Sequence, residues 1–115
     1  MRIILLNAFP LNAFDIDIFT AIFEKTTVNE IKNTINIYSN FEIKNYIRHK
    51  GTVDLLKKVL GVEIQLSSDL YKFDRKDIIF IITLKTPVRG QEIEHVKEDD
   101  LSIYKVSVVP GNHSH

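Results

Sequence analysis

The sequence predicts an α/β (α+β) fold, a small mixed sheet of four to five strands flanked by helices in a single domain. Three observations lead there. A chain of 115 residues buries roughly 65% of its unfolded surface, enough for one core and no second one. Two largely apolar runs of strand length stand out: Ile3–Leu6, uninterrupted as in a strand covered on both faces, and Ile78–Leu84, the strongest strand of the chain. Between them lie helical-period apolar stripes with start and stop signals, so strands and helices intermix along the chain.

The elements follow in order. After Ile3–Leu6 comes Asn7-Ala8-Phe9-Pro10-Leu11-Asn12, where Pro10 forbids further central pairing and the two asparagines favour a turn. Ile16 to Phe23 is apolar with little alternation, and period alone does not decide between strand and helix. Thr27 with Glu30 three positions on forms a capping box, and Val28, Ile31 and Ile35 then share one face of a short helix. Phe41 to Ile47 reads as a second short helix or an irregular approach to His49. Gly51 to Leu60 is the clearest helix: Val53, Leu56, Val59 and Leu60 form the apolar stripe, while Asp54, Lys57 and Lys58 face water. Gly61 stands where a left-handed cap belongs. Val62–Leu66 and Leu70–Phe73 read as a strand pair or a broken strand, and Asp74–Asp77 as a polar turn. Ile78–Leu84 should be the central strand, Thr86–Gly90 a loop, and Ser102–Val109 the last strand. Residues 1–110 make the domain, and 111–115 a frayed tail.

Composition narrows the function. With 44% hydrophobic and 26% charged residues the chain is an ordinary globular one. Fifteen basic against fifteen acidic residues give no net charge, which argues against duplex DNA as a partner, since that binding needs a basic surplus. No apolar run approaches the ~20 residues that span a bilayer, so no membrane partner is expected. The apolar start lacks a signal peptide's length and cleavage site. The absence of cysteine removes disulfides, thiolate metal sites and cysteine nucleophiles, and fits a cytoplasmic protein. His49, His95, His113 and His115 form no ligand pair at helical spacing, so neither a metal site nor a cofactor is expected. Hydrolase elbows and glycine-rich phosphate loops are absent, and the chain has four glycines in all.

What remains is the junction Ile47-Arg48-His49-Lys50-Gly51-Thr52. A helix start there offers free N–H groups and a positive dipole end. Arg48, His49 and Lys50 add charge, Thr52 can cap or lend a hydroxyl, and a histidine can protonate a leaving oxygen near neutral pH. This is a plausible place to bind and cut a phosphodiester. The alternative is that Arg48 and Lys50 are solvated and His49 merely packs at the helix start. Lys85 and Arg89 form a second cationic cluster at the exit of the central strand, where such folds place ligands; a charged hairpin loop is the plain alternative. Asn7 and Asn12 carry amides able to read a base or ribose, although backbone geometry alone explains asparagine in turns.

The opening LLNAFPLNAF and the later YIRHKGTVDLLKKVLG resemble the small viral type III anti-CRISPR ring nucleases and their prokaryotic relatives. That family's first strand ends in an Asn-Ala-Phe-Ser-Ile-Asn-like turn. An Ile-Gly-His-x-Ser-Thr turn then opens a helix closing in Leu-x-Gly, and a later strand runs into an Arg-x-x-Glu-Gly loop. The blocks fit essentially the whole chain in order and spacing. The resemblance implies a homodimer that binds a cyclic oligoadenylate, cyclic tetra-adenylate foremost, and cuts it without metal, disarming type III CRISPR signalling. It implies that His49 assists departure of the 5′-oxygen as the ring's 2′-hydroxyl attacks phosphorus. Asn7, Asn12 and Thr52 match the family's turn asparagines and helix threonine. Arg48 stands for the glycine before the histidine, Gly51 for the serine after it, and Pro10 for the turn serine. The family's later Arg and Glu fall on Thr86 and Arg89, and an arginine after the helix is lost near Ser68. Lys85 and Arg89 are then the cations left to hold phosphate. A sponge that captures the ring without cutting it, and an interaction protein on the same fold, are the competing functions.

Overall fold

In the computed structural model, which describes residues 1–38, 40–85 and 96–111, five strands form one sheet. β1 is Arg2–Leu6, β2 Phe19–Thr26, β3 Glu42–Asn45, β4 Ile78–Leu84 and β5 Leu101–Pro110, in the spatial order β2-β5-β4-β1-β3. β1 runs parallel to both β3 and β4, while β5 runs antiparallel to β4 and β2. The sheet is therefore mixed. β4 stands in the middle of it, and Ile79 to Ile82 are buried without a break, as a strand covered on both faces requires.

Two helices, α1 (Val28–Ile37) and α2 (Lys50–Leu60), pack against the same face. Val28 and Ile31 of α1 and Leu56 and Leu60 of α2 close on Ile3, Leu5, Phe80, Ile82 and Ile103. The opposite face carries no α-helix among the described residues. Ile4, Leu6, Ile79, Ile81 and Val106 are covered there by the turn after β1 and by the stretch around Tyr71. Phe14 stacks between Phe9, Phe19 and Phe73 at centroid distances of 5.2, 4.9 and 4.7 Å. Rings in offset or tilted contact add to simple area burial, and this cluster substitutes for a second helical layer.

Thr27 caps α1, its hydroxyl accepting the Glu30 N–H at 3.3 Å. Gly61 ends α2 with φ +68° and donates its N–H to the Lys57 carbonyl at 2.9 Å, the left-handed closure its position predicts. Ile16 to Phe23, undecided between strand and helix, resolves into an edge strand: β2 begins at Phe19 and pairs with β5 through Thr26.

Two expectations are corrected. The helix considered over Phe41–Ile47 is instead β3, an edge strand in register with β1 from Arg2↔Glu42 to Leu5↔Asn45, followed by an irregular approach to His49. A short run beside a fully apolar parallel strand gains ladder hydrogen bonds that a one-turn helix cannot match. Val62–Leu66 and Leu70–Phe73 form no strands; one isolated bridge, Asn45↔Leu66, is all the pairing they make. Ile64 and Tyr71 are nonetheless buried, so these stretches act as covers over the sheet. The loop expected at 86–90 and most of the tail lie outside the described residues.

Candidate functional site

The carboxyl ends of the three parallel strands converge. Asn7 follows β1, Ile47 lies just beyond β3, and Ile82, Thr83 and Leu84 end β4. Together with His49 and Thr52 they line a cavity of about 310 Å³. Sheets with parallel strands bind ligands at this end because loops and helix starts gather there. Its polar groups are Asn7, His49, Thr52 and Thr83, and no carboxylate lines it among the described residues.

His49 is the N-cap of α2. Its Nδ1 accepts the Thr52 backbone N–H at 3.2 Å and lies 2.9 Å from the Thr52 hydroxyl. Of the two roles open to Thr52, the cap belongs instead to His49, and Thr52, the third residue of the helix and 3% exposed, sets its hydroxyl against the imidazole. The reversal has a simple cause. A buried hydroxyl inside the first turn needs a partner, and the imidazole supplies one while satisfying a free helix N–H. In the neutral ring Nδ1 is the acceptor, so Nε2 carries the proton. In the charged ring Nδ1–H can donate to the Thr52 hydroxyl instead. Thr52 offers a partner to both forms, and Nε2 is the nitrogen left for a ligand.

The path into His49 is fixed by Asn45, the last residue of β3, which is fully buried. Its amide oxygen accepts the Ile47 N–H at 2.9 Å and its amide nitrogen donates to the Ile47 carbonyl at 3.1 Å. The Tyr46 N–H extends the ladder to the Leu5 carbonyl at 2.9 Å. Composition and spacing gave no hint of Asn45, which follows Lys44 and precedes Tyr46 in a stretch of mixed polarity.

The fold brings Asn7, His49 and Thr52 together, and Asn12, Arg48 and Lys85 do not line this cavity. Arg48 and Lys50 flank the same helix start but line a different hollow, of about 380 Å³, with Lys57, Asp54 and Gln65. Neighbours in sequence at a helix start point to different sides, so the charge does not crowd onto His49. Asn12 sits exposed on a single 3₁₀ turn, Leu11–Ala13, whose Ala13 joins the face opposite the α-helices. Lys85 is exposed immediately after β4, with its N–H on the Asp100 carbonyl at 2.9 Å. Arg89 lies outside the described residues, as do Thr86 and His95. No group of three or more His, Asp or Glu side chains is placed to hold a metal ion among the described residues, and no helix there is long and apolar enough to cross a membrane.

A second polar cluster occupies the opposite ends of β1 and β4. The Asp77 carboxylate accepts from Arg2 Nε at 2.9 Å, Arg2 Nη2 at 2.7 Å, the Tyr71 hydroxyl at 2.6 Å and the Asp74 N–H at 3.0 Å. Burial, then the bond to Asp77, pushes the Tyr71 phenol far above the ordinary tyrosine range. Nearby, the ion pair with Lys44 at 3.0 Å holds Asp69 below the usual carboxylate range. These groups tie the cover segment to the sheet, and the Arg2–Asp77 pair lies at the far ends of β1 and β4 from the cavity.

The model of the STIV B116-like family matches residues 3–108. A solved structure, B116 of Sulfolobus turreted icosahedral virus, superposes with a TM-score of 0.69 at 20% identity, covering 93% of this chain and 99% of that one. At that identity the likeness is one of fold. No curated protein matches the chain.

Proposed function

The chain belongs to the STIV B116-like family, and on that footing we propose that it is a metal-independent ring nuclease acting on a cyclic oligoadenylate, thereby countering or switching off type III CRISPR signalling. One observation carries the reading: a histidine whose Nδ1 is held by Thr52 lines a cavity at the carboxyl ends of parallel strands, so that Nε2 is the ring nitrogen not taken up by that bond. In the proposed step the ribose 2′-oxygen forms a bond to the adjacent phosphorus and loses its proton to solvent. The bond from phosphorus to the 5′-oxygen breaks, and the His49 imidazolium protonates that oxygen from Nε2. Nδ1–H then remains on the Thr52 hydroxyl. The product is a linear oligoadenylate ending in a 2′,3′-cyclic phosphate. Holding the 2′-oxygen in line with the scissile bond supplies much of the rate. Asn7 and Thr83 are the neutral polar groups available to orient ring atoms, and Lys85 and Arg89 the cations available to phosphate. A ring of even number has a two-fold axis that a homodimer can match with one His49 from each subunit.

A second reading, capture without cutting, is favoured by one specific observation: the cavity presents no carboxylate among the described residues, so no second acid–base group stands beside His49. Incubation of the pure protein with labelled cyclic tri-, tetra- and hexa-adenylate in EDTA separates the readings. Linear product that disappears in His49→Ala is the expected result. Retained ring without product establishes the sponge, and neither binding nor cutting overturns both. Light scattering that returns the mass of one 13.3 kDa chain at micromolar concentration would refute the dimer.

A further inference from the structure

We propose that Asn45 is the positioning residue of the His49 site: its side-chain amide clamps the backbone of Ile47 and so sets where the imidazole stands. The proposal rests on the reading of His49 as the proton donor. Asn45 reaches His49 through three residues of non-repetitive chain, a kind of stretch that ordinarily owes its mobility to unpaired backbone groups. Here the half next to the sheet is paired. The Asn45 amide bonds both polar groups of Ile47, at 2.9 and 3.1 Å, imitating the neighbouring strand that β3 lacks at this point. The Asn45 carbonyl accepts the Ser67 N–H at 2.8 Å, and the Tyr46 N–H reaches the Leu5 carbonyl at 2.9 Å. Ile47, 2% exposed, is anchored in the core beneath α2. The chain therefore leaves the sheet along a fixed line, and two residues later His49 meets the first turn of α2 at the distance its cap bond needs.

Asparagine suits this role because it alone of the small side chains offers an acceptor and a donor in one plane. Asn45→Ala removes both bonds and leaves the buried Ile47 N–H and carbonyl without partners. Asn45→Asp keeps size and the acceptor for the Ile47 N–H but replaces the donor to the Ile47 carbonyl with an oxygen.

The test combines turnover of cyclic tetra-adenylate with nuclear magnetic resonance of the His49 ring and of the amides. In the wild type, the Ile47 and Thr52 amides should exchange slowly and the neutral His49 ring should be the Nε2–H tautomer. In both variants kcat should fall about 10–100-fold, the effect of a misplacement near 1 Å, with KM within about twofold and the His49 ring averaged over both tautomers. Folded variants with kcat within twofold of the wild type and unchanged His49 signals would overturn the proposal. So would fast exchange of the Ile47 amide in the wild type, a result that needs no variant to fold. If the wild type cuts no ring, the reading of His49 as a proton donor fails by itself. The ring tautomer and the Ile47 and Thr52 exchange rates then still decide whether Asn45 positions His49.

Discussion

The Asp77 side chain is 1% exposed and gathers four hydrogen bonds from Arg2, Tyr71 and the Asp74 backbone. Asp77→Ala should therefore cost far more than a surface ion pair. Breaking a fully buried pair costs about 3–5 kcal/mol, but the Arg2 side chain is 27% exposed and can recover water around part of its guanidinium. The Tyr71 hydroxyl cannot, since Tyr71 is 8% exposed, and an unpaired buried hydroxyl adds about 1–3 kcal/mol. A total near 3 kcal/mol follows. For a chain of 115 residues that corresponds to a fall in Tm of about 12 °C, at about 4 °C per kcal/mol. Urea unfolding and calorimetry of the wild type, Asp77→Ala, Arg2→Ala and the double variant measure both the loss and the Arg2–Asp77 coupling, expected at about 1 kcal/mol or more. Turnover at 25 °C should be unchanged, because the cluster lies at the opposite ends of β1 and β4 from the cavity. A loss below about 1 kcal/mol would refute the reasoning, since it would mean that the carboxylate is as well served by water as by its partners.

Three further outcomes are expected. Thr52→Val keeps the shape but removes the hydroxyl 2.9 Å from His49 Nδ1; kcat should fall at least about tenfold while Thr52→Ser stays near the wild type, as steady-state kinetics on the labelled ring will show. Gly61→Ala places a Cβ on a residue at φ +68° with nothing within 4 Å of it, so its cost, about 1 kcal/mol by urea unfolding, is backbone strain alone. Tyr71 titrates above its ordinary range because burial and Asp77 favour its neutral form. Its contribution to stability is thus complete below the ordinary tyrosine value near pH 10 and is lost as pH rises beyond it. Unfolding followed from pH 8 to 11 should show a steeper alkaline decline in the wild type than in Tyr71→Phe.

Sequence pattern determined the parts of this protein that local physics controls. Ile78–Leu84 reads as a central strand because its first five residues are all apolar, and it stands in the middle of the sheet. Thr27 and Gly61 mark helix ends because each satisfies orphan backbone groups within its own turn. His49 and Thr52 stand out for the same reason: a helix start is a local object, and what gathers there can be read from adjacent residues. What tertiary structure alone decided depends on partners distant in the chain. Phe41–Ile47 becomes a strand only because β1, forty residues earlier, offers a ladder to Glu42–Asn45, and Val62–Leu66 stays irregular because β3 gives it a single bridge. Both helices lie on one face because an aromatic cluster, drawn from the first turn, β2 and Phe73, covers the other. Arg48 and Lys50 are one bond from His49 on either side, yet the helix start turns them toward another hollow. Adjacency in sequence sets what can be near a site; the direction in which a helix start presents each side chain sets what is.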